Sequence, residues 1–209
     1  MNHVEQEFKW TCNRAADFDA FLSMLKLLPV HCIGPKELHI VDTYLDTAQR
    51  KLSSQKIALR LRRTYNRFEV TLKTKTALQK GMATRKEITI PLKKAATWHS
   101  ALKQLKEKNR WEGVELALLQ RIFTIENYRR AYQLSYKKCT CELALDQYLT
   151  KANGHQWLRR EIELELKKGA AKDFLQLVQK ITHDVALPVA KISKVAGAEK
   201  WIKEKLRIN

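Results

Sequence analysis

The stretch HVEQEFKW, His3 to Trp10, alternates residue by residue. Read as a strand, it sets Glu5, Glu7 and Lys9 on one face and Val4, Phe8 and Trp10 on the other. A half-buried strand normally turns its apolar side to the core and its charges to water. Two carboxylates and an ammonium spaced by two fit that arrangement. They also fit an interior that is itself charged.

The same pattern recurs along the chain. IALRLRR sets Arg60 and Arg62 opposite Ile57, Leu59 and Leu61, and RFEVTLKTK sets Glu69, Thr71, Lys73 and Lys75 opposite Phe68, Val70 and Leu72. In TRKEITIPL, Arg85, Glu87 and Thr89 oppose Ile88, Ile90 and Leu92. CELALDQ aligns Glu142 with Asp146, and LRREIELEL aligns Arg159, Glu161, Glu163 and Glu165 against Leu158, Ile162, Leu164 and Leu166. With LHIVDTYL and the segment from Tyr128 to Tyr136, this gives about eight strands.

Amphipathic helices interrupt them. AADFDAFLSMLKLL has Asp17 near its start and Pro29 beyond its end, and TWHSALKQLKEK and AAKDFLQLVQKITH show the same helical spacing. The tail from Ser193 to Leu206 predicts a closing helix. No repeat, low-complexity tract or composition break marks a linker, so residues 1–209 are expected to form a single domain.

Both signs of charge return on strand after strand, more densely than a solvated face requires. An antiparallel sheet of about eight strands closes into a barrel whose interior is lined by alternate residues. The expected fold is therefore α+β: a closed antiparallel barrel forming a charged tunnel, its apolar outer face covered by the helices.

The chain carries 40 Lys plus Arg against 22 Asp plus Glu, a net charge of +18, which favours an anionic partner. No apolar run is long enough to span a bilayer, and the charged start from Glu5 does not read as a secretory leader. Cys12, Cys32, Cys139 and Cys141 contain no C-x-x-C pair and are expected as free thiols in a reducing cytoplasm. The histidines show no metal-ligand spacing.

A small polyphosphate with a divalent metal suits such an interior. Mg²⁺ and Mn²⁺ take oxygen ligands, usually one or two carboxylates with phosphate oxygens and water. Glu5 and Glu7, with Glu161, Glu163 and Glu165, are the candidate metal carboxylates. Arg60, Arg62, Lys73, Lys75, Arg85 and Arg129 are the candidate phosphate clamps, arginine adding bidentate contacts. An empty cavity of this kind is expected to hold like charges at short range, each pair repelling by roughly 1 to 4 kcal/mol.

EQEFK resembles the E-x-E-x-K signature of the CYTH superfamily, the triphosphate tunnel metalloenzymes. DTYLDT, ALRLR, EVTLKTK, TRKE, ELALD, EIELEL and ISK follow in that family's order, from Glu5 to Lys194. The run WLRREIELELKKG followed by a helix looks most like the bacterial inorganic triphosphatases. The resemblance implies metal binding by Glu5 and Glu7, with Glu161 and Glu163 completing the site. Glu165 lies beside them, and Asp146 of the E-x-A-L-D acids joins the metal set. It implies phosphate contacts from Lys9, Arg60, Arg62, Lys73, Arg85, Arg129 and Lys194. Lys9, Arg85 and Glu163 are the catalytic candidates, with a second metal or a carboxylate such as Glu163 orienting and activating water. The family usually has Arg-Gly after the serine-lysine pair, where this chain has Gly197 and Ala198.

The leading expectation is metal-dependent hydrolysis of inorganic tripolyphosphate to pyrophosphate and phosphate. A thiamine triphosphatase or adenylate cyclase of the same fold, and a barrel that binds RNA or polyphosphate without turnover, stay open as alternatives. The retained carboxylates speak against the last, because they weaken pure anion binding. Nucleic acid is the less favoured partner.

Overall fold

A computed structural model describes residues 2–65, 67–73, 77–79, 82–92, 100, 103–104, 107 and 115–206, with 2–5, 77–79, 82–86 and 116 described by backbone alone. Nine strands form one antiparallel sheet. They are β1 (Asn2–Cys12), β2 (His31–Asp46), β3 (Ala58–Thr64), β4 (Arg67–Lys73), β5 (Ala77–Gln79), β6 (Met82–Leu92), β7 (Gln120–Tyr136), β8 (Cys139–Ala152) and β9 (His155–Gly169). Their order is β1-β9-β8-β7-β2-β3-β4-β6-β5.

β1 has a partner on each side. Asn2–Glu7 pairs with β6, and Glu7–Cys12 pairs with β9. One strand thus pairs with its neighbour β9 and with β6, next to the far end of the order, and its E-x-E-x-K stretch lies where the two pairings meet. Eight long strands match the expected number, and β5 adds a three-residue hairpin arm on β6.

A tight turn and a terminal glycine fix the long β7–β8–β9 meander. Asn153 and Gly154 both take positive φ, 46° and 79°, as a two-residue type I′ hairpin requires. Gly169, at φ 104°, ends β9 where a Cβ would stand 2.0 Å from the Lys138 carbonyl oxygen, so only glycine fits there.

Helices cover the apolar face. Asp17 accepts hydrogen bonds from the backbone N–H of Asn13 and Arg14, both 2.9 Å, and so starts α1 (Ala16–Leu25). α1 buries Phe18, Phe21 and Leu25. α3 (Ala171–Asp184) buries the stripe Phe174, Leu177, Val178 and Ile181, which recurs at helical spacing. Both pack on Trp10, Leu143, Leu145, Ile162 and Leu164, the apolar sides of β1, β8 and β9. The short α2 (Lys51–Ser54) adds Leu52 to a second cluster with Leu45, Leu59, Val70 and Ile90. Asp46 holds α2 by accepting from the N–H of Thr47, Leu52 and Ser53.

α4 (Lys194–Leu206) does something different. Its Ala198, Trp201 and Ile202 pack on Tyr44, Phe123, Ile125 and Tyr148, on the face that also carries the charges. Trp201 stacks on Trp157 at 5.7 Å. The closing helix predicted from Ser193 therefore seals one end of the charged face, and α1, α2 and α3 cover the opposite face. The helix predicted over 97–108 falls mostly outside the described residues. Among the described residues no helix is long and apolar enough to cross a membrane.

Candidate functional site

The charged faces of the strands line one cavity of about 370 Å³. β1 supplies Glu7 and Lys9, β2 Asp42 and Tyr44, β3 Arg60 and Arg62, and β4 Glu69 and Lys73. Glu87 and Thr89 come from β6, Ile125, Asn127 and Arg129 from β7, and Glu142 from β8. β9 adds Glu163, Glu165 and Lys167, and the start of α4 adds Ser193, Lys194 and Val195. The period of two along each strand delivers every one of the strand residues, because successive side chains leave opposite faces.

Two groups of ion pairs organise the wall. In the first, Glu163 is the hub. Its carboxylate accepts from Lys9 Nζ at 2.6 Å, Lys194 Nζ at 2.6 Å and Arg129 Nη2 at 2.7 Å. Asp146 lies behind it, fully buried, accepting from Arg129 Nε and Nη2, both at 2.7 Å, and from Lys194 Nζ. Glu161 also stands behind the lining, bonded to the Tyr148 hydroxyl at 2.6 Å, with Lys194 3.8 Å away.

The second group spans β2, β3, β4 and β6. Asp42 accepts from Arg62 Nε at 2.7 Å and Nη2 at 2.8 Å, with Arg60 Nη1 3.6 Å away. Arg60 donates to Thr71 Oγ1 at 3.2 Å, and Lys73 pairs with Glu87 at 2.7 Å. The clamps are thus interleaved with carboxylates. The mutual repulsion expected of an empty cavity is relieved by opposite charges between them.

Nine predicted site residues meet in this cavity: Glu7, Lys9, Arg60, Arg62, Lys73, Arg129, Glu163, Glu165 and Lys194. Asp146 and Glu161 support it from behind. The side chains of Glu5, Lys75 and Arg85 lie outside the described residues, although strand register sets Glu5 opposite Arg85 and Glu7 opposite Glu165. Asp42 and Asn127 were missed as site residues. Each alternates with a residue of the cavity, Asp42 with Tyr44 in DTYLDT and Asn127 with Arg129, and that spacing was the available signal. Asn127 is buried, and its Oδ1 has no hydrogen-bond partner among the described residues.

Electrostatics hold Asp42 and Glu163 ionised. Burial works against the Asp42 anion, but the Arg60 and Arg62 guanidiniums outweigh it and bring its pKa from 3.8 down to about 2. Burial likewise opposes Glu163, and Lys194, Lys9 and Arg129 together hold it well below the usual range. Lys194 is pushed up despite burial by Asp146, Glu163 and Glu161. Burial pushes the Cys12 thiol up to about 12, and all four cysteines are free. No thiolate nucleophile is offered there.

A pH dependence follows from Asp42. Its folded pKa is depressed, so its contribution is fully present above about pH 4 and is lost as pH falls through about 2. Asp42→Asn is expected to cost about 2–3 kcal/mol near neutrality. Denaturant titrations of both proteins should converge as pH drops across that window. A gap that stays constant with pH would contradict the ion pair.

The described part of the lining is charge-balanced. Among the described residues seven cations (Lys9, Arg60, Arg62, Lys73, Arg129, Lys167, Lys194) face seven anions (Glu7, Asp42, Glu69, Glu87, Glu142, Glu163, Glu165). Among the described residues no three His, Cys, Asp or Glu side chains converge as a ready metal cluster. Lys9 stands between two of the carboxylates, 3.2 Å from Glu7 and 2.6 Å from Glu163.

Fold and cavity together define an antiparallel β-sheet protein with a densely charged, helix-sealed interior. The chain belongs to the CYTH domain family, whose model matches residues 3–198. It is similar to the inorganic triphosphatase of Haemophilus influenzae, 28% identical over 159 residues, covering 76% of this chain and 45% of that protein. The chain thus spans less than half the length of that relative. Among solved structures it resembles a candidate adenylyl cyclase from Hippeastrum described as having a dominant triphosphatase activity, with TM-score 0.69 and 20% identity over 94% of this chain and 96% of that one. It also resembles a Pyrococcus horikoshii protein, with TM-score 0.61 and 20% identity over 96% and 99%. A candidate adenylate cyclase from Bacillus halodurans gives TM-score 0.54 and 19% identity over 93% and 97%. At these identities the structural likeness is one of fold.

Proposed function

We propose that the chain is a metal-dependent hydrolase that cleaves inorganic tripolyphosphate to pyrophosphate and phosphate, with residues 1–209 acting as one domain in the cytoplasm. In this reading β1, paired on both sides, closes the sheet into a tunnel. The observation that carries it is the charge balance of the cavity. A polyanion entering a wall whose described charges cancel, and to which Glu5, Lys75 and Arg85 would together add a single positive charge, leaves most of its own charge uncompensated, so it arrives with cations. A wall dense in carboxylate, guanidinium and ammonium groups suits a phosphate chain with hard divalent ions. The activity of the Haemophilus influenzae relative supports the same reading.

The donor set fits Mg²⁺ or Mn²⁺. Such ions usually take only one or two protein carboxylates beside phosphate oxygens and water, so a cluster of three is not required. Glu7 and Glu165, opposite each other in register, would hold the ion together with Glu5. When bound, the metal neutralises non-bridging oxygens as charge builds up on them. Arg60, Arg62, Lys73, Arg129 and Lys194 bind the remaining oxygens, joined by Arg85 and Lys75, and Lys9 contacts the phosphate nearest Glu7. Glu163 orients the attacking water by accepting its hydrogen bond. Because its neighbours hold it ionised, the proton passes to a phosphate oxygen as the bridging P–O bond breaks. Positioning and charge neutralisation account for most of such a transfer.

A mixed reaction of tripolyphosphate, ATP and thiamine triphosphate, followed by phosphorus NMR, tests this. Tripolyphosphate is expected to be favoured in kcat/KM by about a hundredfold. Cyclic AMP as the main product, with tripolyphosphate intact, would assign the chain to the cyclases. No turnover of any of the three would leave a binding protein.

A further inference from the structure

Two arginines of the cavity are gripped alike. Asp42 accepts from Nε and Nη2 of Arg62 at 2.7 and 2.8 Å, and Asp146 accepts from Nε and Nη2 of Arg129, both at 2.7 Å. Their free ends differ. Arg129 also donates through Nη2 to Glu163 at 2.7 Å and through Nη1 to Glu142 at 3.4 Å, so a phosphate reaches its fork only by displacing carboxylate contacts. Arg62 has no second carboxylate on its fork among the described residues, and its side chain is 22% exposed on the cavity wall. Side-on pairing takes Nε–H and one Nη2–H. The parallel pair on Nη1 and Nη2, which matches two phosphate oxygens, is left available.

We propose that Asp42 is a positioning residue for phosphate capture, fixing Arg62 so that its Nη1–Nη2 edge faces a phosphate chain in the cavity. This rests on the polyphosphate reading above. A long side chain already held in its binding rotamer loses little freedom when the anion arrives. The proposal runs against simple electrostatics, and that makes it testable by sign. As a mere charge, Asp42 repels phosphate, so its neutralisation tightens binding. As the group that aims Arg62, its loss weakens binding although the wall becomes more positive.

The experiment titrates tripolyphosphate with Mg²⁺ calorimetrically into wild-type protein, Asp42→Asn, Arg62→Ala and the double variant. Asp42→Asn is expected to bind about tenfold more weakly and to raise KM by a similar factor, with kcat changing less. In the Arg62→Ala background it should weaken nothing further, since there is no fork left to aim. Arg62→Lys keeps the charge without the fork and should bind about as weakly as Arg62→Ala. It tests the idea even where Asp42→Asn fails to fold. Equal or tighter binding by Asp42→Asn, or wild-type binding by Arg62→Lys, would overturn the proposal alone. Wild-type protein that binds no tripolyphosphate would overturn the polyphosphate reading and this inference with it.

Discussion

Glu7→Gln is expected to keep its fold and to lose turnover by roughly a hundred- to a thousandfold. The amide has the shape of the carboxylate, and Lys9 keeps its 2.6 Å contact with Glu163, so the wall around it stays assembled. What disappears is an anionic oxygen donor on the strand that pairs with both β6 and β9. Metal titration should show weaker binding alongside the loss of phosphate release, with a melting temperature close to that of the wild type. Metal affinity unchanged in the variant would remove Glu7 from the metal set. A collapse in melting temperature would give it a structural role instead.

Glu163→Ala is expected to cost stability as well as activity, by about 3–5 kcal/mol, because it removes the one carboxylate that Lys9, Lys194 and Arg129 share. Asp146 still holds two of those cations, but from behind the wall, and the cavity is left with uncompensated positive charge. Added tripolyphosphate should then raise the melting temperature of the variant more than that of the wild type, since the anion replaces the missing charge. The effect has a pH signature. Glu163 has a depressed pKa, so its contribution is complete above its ordinary 4.5 and fades as the pH falls below it. Thermal melts of both proteins between about pH 7 and 3 should therefore draw together at the acid end. A variant as stable as wild type at neutral pH would show that Glu163 is no hub.

Much of this arrangement is local and therefore readable along the chain. Alternation at period two is a property of one strand, so the shared face of Glu7 and Lys9, of Arg60 and Arg62, and of Glu163 and Glu165 needs no knowledge of neighbours. The stripe Phe174, Leu177, Val178 and Ile181 is equally local and marks the buried side of its helix. Partnership is another matter. Asp42 meets Arg62 only because β2 and β3 pair in the register that sets those two residues opposite. The motif places Asp146 among the candidate metal carboxylates. The fold places it at zero exposure, with Arg129 and Lys194 on its oxygens. The tail helix was legible as amphipathic, but its seat on Tyr44, Phe123 and Tyr148 was not. A side chain's direction from its own strand follows from backbone geometry, whereas the charge or ring it meets depends on strand register and helix docking, which join residues far apart in sequence. For that reason the charged faces can be read from the order of residues alone, whereas which charges hold one another and which remain to meet a ligand follows from strand pairing and helix docking.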